Sequence, residues 1–260
     1  MSGRRITLYV VAGVLTYCAA LAAMLPAAWI AHALQTQSNG RLELRDAGGT
    51  AWSGSGRLFA RSPHGALVDL GTLRWNASAW SLPTLRIRAS VTHGTAAHPM
   101  LVEVSPWGLA VQRLKVDLPG AAVTAFAPSL ATLGPEGSIH VRSDSLRVER
   151  GSMLGLADVE WHGLRLSGAQ GVLLGSHVAR LRGGGERVDI DVSTLDGPLS
   201  VRAKGAWNRA TGLTLAGTAE PRTPDLVPFL RGFCAGYRNS VCEFSFTPAK
   251  AAAAATGGTP

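Results

Sequence analysis

The side chains that most often perform chemistry are spread thinly along this chain. Seven histidines and three cysteines occur among 260 residues, and the sequence contains no Gly-x-Ser-x-Gly, His-Glu-x-x-His or Cys-x-x-Cys pattern. His93 and His98 flank a Gly/Ala-rich loop, but no nearby carboxylate or thiolate completes a metal site. Asp189 and Asp191 share one face of a predicted strand, where solvent exposure explains two acids. We therefore predict a protein with no catalytic residues, no metal and no cofactor.

Two cysteines near the C-terminus have a spacing that permits a covalent link. Cys234 and Cys242 are separated by seven residues and are not accompanied by paired histidines, so the spacing does not favour a metal site. In an oxidising compartment they can form a disulfide that closes a small loop; two free thiols are the alternative. Cys18 lies in an apolar run and is expected to behave as a small apolar residue.

Residues 49–58, with the sequence GTAWSGSGRL, form the most distinctive stretch of the chain. A phosphate-binding loop would end in Lys-Ser or Lys-Thr and lead into a helix, and this stretch does neither. We interpret it as a strand whose Trp52 packs on a sheet, with Gly54 and Gly56 allowing a bulge or a close backbone approach. Gly197-Pro198-Leu199 followed by Gly205 and Trp207 weakly repeats this pattern of glycine and tryptophan. The repeat is the basis of the hypothesis that the β domain consists of two similar halves.

The longest element expected to position these residues is an N-terminal apolar helix. Residues 6–30 carry no charge over 25 positions, and a helix of that length spans about 37 Å against a hydrocarbon core of about 30 Å. Arg4 and Arg5 precede it, so the positive-inside rule keeps residues 1–5 in the cytoplasm. A cleaved signal peptide is the alternative, but its apolar segment would be shorter, about 7 to 15 residues. We predict an uncleaved anchor over 6–30, with everything after it outside.

The rest of the chain shows a period of two. Residues 31–46 are expected to form a polar connector, and 47–232 a β domain of about a dozen strands with one aliphatic and one polar face. The alternation slips at Gln112-Arg113, which predicts a bulge. Short helices are expected over 121–133 and 224–233, then a cysteine loop over 233–248 and a disordered tail over 249–260.

So many half-buried strands cannot lie flat without exposing apolar surface or long edges. We predict a mainly β fold in which a long twisted antiparallel sheet is rolled into an incomplete barrel or trough; a β-sandwich is the alternative. The net charge of +8 is spread over single residues, and stacking aromatics are few, so nucleic-acid binding is not expected.

Taken together, these features resemble the type II secretion system protein N family, also called general secretion pathway protein N. The residues that carry the resemblance are the basic N-terminus with Arg4 and Arg5, Leu25-Pro26-Ala27-Ala28-Trp29, Gly49-Thr50-Ala51-Trp52-Ser53-Gly54, Leu73-Arg74-Trp75, and Gly197-Pro198-Leu199 with Gly205 and Trp207. The resemblance extends to about residue 232. The cysteine loop and the Ala-rich tail depart from the family pattern.

The resemblance implies an accessory, non-enzymatic component of the Gram-negative machine that moves folded proteins from the periplasm to the exterior. Such a protein crosses the inner membrane once and contacts the inner-membrane platform or the outer-membrane secretin. A trough with an aliphatic interior that handles lipid is a second hypothesis. A periplasmic hydrolase is a third and is disfavoured, because no nucleophile and base can be named.

Overall fold

The computed structural model describes residues 3–78, 85–94, 98–169, 171–234, 236–238 and 240–247. The α-helices are α1 (Gly3–Ala23), α2 (Ala28–Gln37) and α3 (Leu226–Phe233). The strands are β1 (Leu42–Gly49), β2 (Ser53–Arg61), β3 (Leu67–Ser78), β4 (Ile87–His93), β5 (Met100–Ser105), β6 (Gly108–Pro119), β7 (Pro135–Glu149), β8 (Ser152–Leu166), β9 (Val172–Gly185), β10 (Arg187–Asp196), β11 (Leu199–Asn208), β12 (Gly212–Pro221), β13 (Gly236–Arg238) and β14 (Val241–Phe246). Short 3-10 helices are Gly120–Ala125, Pro128–Leu133 and Ser167–Ala169.

In the described part of the chain all the strands belong to one 14-stranded sheet. Each strand pairs with the next in the sequence as far as β12; β14 then lies between β12 and β13. Every one of these pairings is antiparallel. The outermost strands, β1 and β13, do not pair with each other, so the sheet is open. The predicted mainly β, antiparallel architecture is confirmed, and the β-sandwich alternative is wrong because there is one sheet rather than two.

Paired residues of antiparallel strands share a face of the sheet. The residue types along the strands then make the two faces of this sheet chemically different. On the apolar face, the aligned residues of β6 to β10 are Val116, Val141, Val159, Ala179 and Val192. On the charged face, the neighbouring row is Lys115, Arg142, Asp158, Arg180 and Asp191. The alternation seen in the sequence therefore sets the two faces.

Helical connections cover the apolar face at one end of the strands. We call this end of the sheet the capped side. The 3-10 helix Gly120–Ala125 packs Ala122 and Ala125 against Ala60 and Leu70 of β2 and β3. At the far end, Leu226 and Leu230 of α3 join a cluster that includes Leu199 and Cys242. The opposite side carries the β1–β2, β5–β6, β7–β8, β9–β10 and β11–β12 turns. We call it the hairpin side.

The N-terminal region differs from the prediction. The single helix expected over 6–30 is wrong: α1 ends at Ala23 and α2 begins at Ala28, with Pro26 in an isolated bridge to Thr50. Proline lacks a backbone N–H and its ring clashes with the preceding turn, so it separates the two helices. In the part of the chain that the structure describes, no helix is both long enough and apolar enough to span a membrane.

The polar connector expected over 31–46 is also wrong. Most of α2 and the first half of β1 occupy it. The helix forms because Ile30, Ala31 and Leu34 pack against a buried cluster that includes Leu44 and Trp75. The tail predicted over 249–260 lies outside the described residues.

The phase slip predicted at Gln112-Arg113 corresponds to a local change of backbone conformation. Arg113 adopts a left-handed conformation with φ of 57°, yet the pairing of β6 with β7 continues without a shift. The register shift occurs one strand further on, between Arg142 and Leu146 of β7 where they face β8. A left-handed residue and a neighbouring bulge together restore the apolar face.

A disulfide joins Cys234, directly after α3, to Cys242 in β14, with the two Cα atoms 5.8 Å apart. Cys242 is 1% exposed and belongs to the cluster under α3. The link fixes the last strands of the sheet to the helix that covers its apolar face. It is the first of the two arrangements that the spacing allowed.

Removing this disulfide should weaken the C-terminal part of the sheet. We expect the double variant Cys234→Ala, Cys242→Ala to lose about 2 to 3 kcal/mol of unfolding free energy and roughly 5 to 10 °C in Tm, since the unfolded chain is no longer constrained. Thermal unfolding followed by circular dichroism measures the change. Cys18→Ala is the control and should leave the Tm unchanged; an equal effect of the control would contradict the prediction.

Candidate functional site

The helix is interrupted between α1 and α2. This interruption, which we call the break, lies against the β1–β2 hairpin. Ala51 N–H donates to Leu25 O at 2.7 Å, and Ala27 N–H donates to Gly49 O at 3.2 Å. Together with the bridge between Pro26 and Thr50, these bonds pair the break with the hairpin in a short antiparallel ladder. The distinctive GTAWSG stretch is therefore the element that holds the N-terminal helices. We call this contact the junction.

Trp52 reaches from the hairpin into the last turn of α1. Its indole Nε1–H donates to Ala22 O at 2.7 Å. The last four carbonyls of a helix have no partner inside the helix, so an outside donor stabilises the helix end. The backbone carbonyl of Trp52 in turn accepts from Ala77 N–H of β3. One residue therefore ties α1, the hairpin and β3 together.

Trp75 packs against the β1–β2 hairpin and stabilises it. Its side chain is 8% exposed, and its Nε1–H donates to Thr50 O at 3.1 Å. Gly54 lies directly against the ring: a Cβ there would stand 2.6 Å from Trp75 Cζ2 and 2.5 Å from Gly48 O. No side chain fits at that position, so Gly54 is required by packing rather than by phosphate binding.

The turn itself is closed by Gly49 and Thr50. Gly49 has φ of 91°, which favours glycine. Thr50 N–H donates to Ser53 O at 2.8 Å, and Thr50 Oγ1 accepts from Ser53 N–H at 3.1 Å. Thus Gly49, Thr50, Trp52 and Gly54 of the hairpin meet Trp75 of β3 in one place.

The later group of singled-out residues does not join them. Gly197 packs against Gly175 with no room for a Cβ, and Pro198 O accepts from Arg222 N–H at 2.7 Å. Leu199 lies in the core under α3, while Trp207 at the other end of β11 is 37% exposed. These residues, with Gly205 packed against the backbone of β12, shape β11 and form no second site.

Three further observations complete the outcome for the singled-out residues. Arg4 and Arg5 begin α1, and their side chains lie outside the described part of the chain. His93 Nε2 lies 2.6 Å from Leu70 O, so this ring nitrogen is engaged by a backbone carbonyl. Within the described residues no group of three or more His, Cys, Asp and Glu side chains is arranged to hold a metal ion.

Sequence reasoning missed that α2 belongs to the junction. Ala27, Ile30, Ala31 and Leu34 recur at the spacing of a helix face, and this signal predicts an amphipathic helix when the apolar run is divided at Pro26. This signal for α2 was missed because residues 6–30 form one continuous uncharged run that resembles a single long apolar segment. The partner of Trp52 is a backbone carbonyl, which leaves no signal in the sequence.

The titratable groups with shifted pKa values lie away from the junction. The hydrogen bond from Arg45 holds the pKa of Glu43 below its usual range, and the Gly71 N–H does the same for the pKa of Asp69. Burial lowers the pKa of His177. The junction is built from backbone groups, two indoles and aliphatic side chains, so its chemistry is holding and orienting a helix rather than transferring protons.

Gly54 gives a direct test of the junction. We expect Gly54→Ala to lower the free energy of unfolding by about 1 to 3 kcal/mol, because the added methyl overlaps Trp75 and the β1 backbone. It should also expose the break between α1 and α2 to limited proteolysis. Gly48→Ala is the matched control, because a Cβ at Gly48 meets nothing within 4 Å. Equal stability of the two variants would contradict this packing argument.

Comparison with known proteins gives one positive result. The family model described as "Type II secretion system (T2SS), protein N" matches residues 40–233, which is most of the chain and includes the hairpin of the junction. No curated protein and no solved structure shows significant similarity to the chain.

Proposed function

Because this chain belongs to the type II secretion system protein N family, we propose that it is a non-enzymatic, inner-membrane-anchored accessory component of the pathway that exports folded proteins from the periplasm across the outer membrane. The observation that carries the proposal is the extent of the match, from residue 40 to 233, which takes in the structure from β1 to α3. The family supplies a component of the secretion machinery rather than an enzyme. A broad sheet and a helix-holding junction are compatible with such a scaffold.

Side-chain exposure along α1 supports the anchor. Tyr9 and Val14 are 70% and 56% exposed, Ala12 is exposed as well, and at about 100° per residue these three positions are distributed around the whole helix. Apolar side chains on all sides of a helix are typical of a helix surrounded by lipid. The uncharged run over 6–30, with Arg4 and Arg5 before it, favours a cytoplasmic N-terminus and a periplasmic sheet. The Cys234–Cys242 disulfide fits an oxidising periplasm.

In this arrangement the junction is the mechanical link between anchor and sheet. The hydrogen bonds of Ala51 to Leu25, of Trp52 to Ala22 and of Ala27 to Gly49 leave few free torsions between the two parts. The direction of the sheet relative to the membrane is then set by the hairpin and not by a flexible linker. A rigid connection suits a protein that must present a surface to subunits of the platform or the secretin.

The secretion role has a direct cellular test. In a strain that depends on this pathway, we expect deletion of the gene to leave exported substrates trapped in the periplasm, and the wild-type gene to restore export. Trp52→Phe, which removes the donor to Ala22 O, should restore export less well than the control Trp207→Phe, whose residue lies on β11 far from the junction. Normal export in the deletion strain would contradict the proposal.

Site-specific photocrosslinking then identifies the contact surface. Crosslinkers at Arg74 of β3 and Arg202 of β11, both exposed, should form adducts with platform or secretin subunits. A crosslinker at His64 in the β2–β3 turn serves as the comparison position.

A second candidate function, lipid handling, is favoured by the apolar face. The capped side is covered, but on the hairpin side this face carries a set of exposed apolar residues that we call the apolar strip: Val104, Leu109, Val148, Trp207 and Phe246. Val104, Leu109 and Val148 are aligned across β5, β6 and β7. Exposed apolar side chains aligned across neighbouring strands are typical of a binding surface. A curved sheet with this strip open would form a trough for acyl chains.

Co-purifying lipid distinguishes this candidate. Mass spectrometry of the detergent-exchanged protein should detect stoichiometric phospholipid in the wild type and less in Leu109→Asp, since the charge sits in the apolar strip. Leu101→Asp is the matched control, because Leu101 is 39% exposed and Leu109 is 40% exposed. The absence of stoichiometric acyl chains from the wild type would remove lipid handling and leave the secretion role unaffected.

A further inference from the structure

The most exposed tryptophans of the described chain lie at the hairpin side of the sheet. Trp29, Trp107 and Trp207 are 61%, 44% and 37% exposed, and the other described tryptophans are less exposed. Trp29 lies in the first turn of α2 beside the junction, Trp107 in the β5–β6 turn, and Trp207 at the end of β11 that leads into the β11–β12 turn. The proposed secretion role does not explain why three large aromatic side chains are exposed at this end.

Hydrogen bonding of the indole N–H separates these three tryptophans from the others. Trp52, Trp75 and Trp161 each donate Nε1–H to a backbone carbonyl. Within the part of the chain that the structure describes, the indole N–H groups of the three exposed tryptophans have no acceptor. An indole combines an apolar body with one polar N–H, and it is enriched at membrane–water interfaces, where both parts are satisfied. The exposed indoles therefore have the properties of interfacial anchors.

The β5–β6 turn fixes the position of Trp107. Pro106 and Trp107 form the two-residue turn between the paired residues Ser105 and Gly108, and Ser105 Oγ accepts from Gly108 N–H at 3.2 Å. Proline at the first turn position presets the backbone, and Gly108 has no room for a Cβ against Val148 O. The backbone of the turn is therefore held in one conformation, and it presents an exposed indole at the end of the sheet.

Exposed aliphatic side chains lie beside this turn on both faces of the sheet. On the apolar face, Val104, Leu109 and Val148 are exposed and aligned across β5, β6 and β7. On the charged face, Leu154 of β8 is 48% exposed. We call Val104, Trp107, Leu109, Val148 and Leu154 the tip cluster. A trough for acyl chains uses one face of a sheet, whereas an end that is apolar on both faces fits a surface into which the strand ends insert.

The hairpin side is also the side at which α1 ends. Trp52 Nε1–H donates to Ala22 O, and Ala51 N–H donates to Leu25 O, so the β1–β2 turn is bonded to the end of α1. α1 has 21 residues and is about 31 Å long, comparable with a hydrocarbon core of about 30 Å. With α1 in the membrane as proposed above, its end lies at the outer surface of the bilayer. The β5–β6 turn is four strand spacings from the β1–β2 turn, about 19 Å along the sheet.

The charges of the hairpin-side turns are nearly balanced around the tip cluster. Arg209 Nη1 donates to Arg150 O at 3.4 Å, a bond that brings the end of β11 with Trp207 toward the β7–β8 turn. Glu149 and Glu186 lie in or beside the same group of turns. Two cations and two carboxylates do not select a strongly charged partner. Apolar side chains and indoles are what this end of the sheet offers to a binding surface.

From these observations we propose that the hairpin side of the sheet contacts the outer surface of the membrane that α1 enters, with the tip cluster among the headgroups and the first carbons of the acyl chains. The inference rests on the proposed anchoring by α1 and adds a second membrane contact to it. Burial of apolar side chains and indoles stabilises the contact, so it depends little on salt. The capped side then faces away from the bilayer.

Spin labels on the full-length chain in nanodiscs of phosphatidylethanolamine and phosphatidylglycerol test the inference. Nitroxides are attached at Leu109→Cys, Leu154→Cys or the control Leu101→Cys in a Cys18→Ala background, in which the remaining native cysteines form the disulfide. Leu101 is 39% exposed and Leu109 is 40% exposed, but Leu101 lies three residues farther from the turn and on the charged face. We expect both tip-cluster labels to show a severalfold higher ratio of oxygen to nickel–EDDA collisions than the Leu101 label, because oxygen concentrates in lipid and the polar complex in water.

The pattern of collisions separates the possible occupants of this surface. A lipid environment at Leu109 without one at Leu154 would indicate acyl chains held on the apolar face and would overturn the inference. Dipolar broadening of the Leu109 spectrum would show that a second copy of the chain covers the tip cluster and would also overturn it. Val14→Cys reports on α1: lipid there with water at both tip-cluster labels leaves the anchor in place and removes the second contact. Water at all three positions would remove both.

Substitution of Trp107 tests whether the tip cluster makes the contact. Trp107→Asp should lower the collision ratio of the Leu154 label to the level of the Leu101 label, because a carboxylate is costly to place in the bilayer. Leu101→Asp is the matched control and should leave the Leu154 label unchanged. Trp107→Ser replaces the aspartate variant if that variant has an altered circular dichroism spectrum. Equal effects at positions 107 and 101 would overturn the assignment. Normal export in a deletion strain would leave these measurements in place.

Discussion

The placement of the N-terminal helices depends on the contact between the indole of Trp75 and the backbone of Gly54. Because Gly54 has no side chain, the ring lies close against the β1–β2 hairpin and its Nε1–H reaches Thr50 O. That bond fixes the turn, and the turn carries the groups that hold the break between α1 and α2. The same ring lies in the cluster that receives Ile30 and Leu34 of α2. The lack of a side chain at Gly54 therefore allows the contacts that connect the sheet to the N-terminal helices.

Curvature is the second constraint, and the sheet obtains it in separate ways along its length. A sheet of 14 strands accumulates a right-handed twist and cannot stay flat. Near the N-terminal end, β3 and β6 come into contact although they are not paired, and a 3-10 helix fills the space beside them. Between β8 and β11, strands that are not paired with each other also come into contact. A twisted sheet is saddle-shaped, so each face can be concave in a different direction.

Much of this architecture could be predicted from the sequence, because period-two alternation is a local signal that survives in a sheet with one apolar face. The strands and the absence of long helices among the described residues after 37 follow from it, and the glycines of the GTAWSG stretch predicted Gly54 as a close-approach position. The helix break was predicted poorly because hydrophobicity dominates residues 6–30 and conceals the effect of Pro26. The junction could not be predicted from the sequence, because the hairpin turn meets the helix end through backbone carbonyls. No side-chain pattern encodes such contacts. The contact of Arg209 with the Arg150 carbonyl could not be predicted either, because it joins residues 59 positions apart.

The strand order has a consequence for how the protein is made. From β1 to β12 each strand pairs with its immediate neighbour in the sequence, so each pairing closes only a short connection and its entropy cost is small. Strands that become available in sequence order can add one hairpin at a time without waiting for distant partners. The exception is the last step, in which β14 must enter between β12 and β13. Oxidation of Cys234 with Cys242 secures that final insertion, so the disulfide marks completion of the fold.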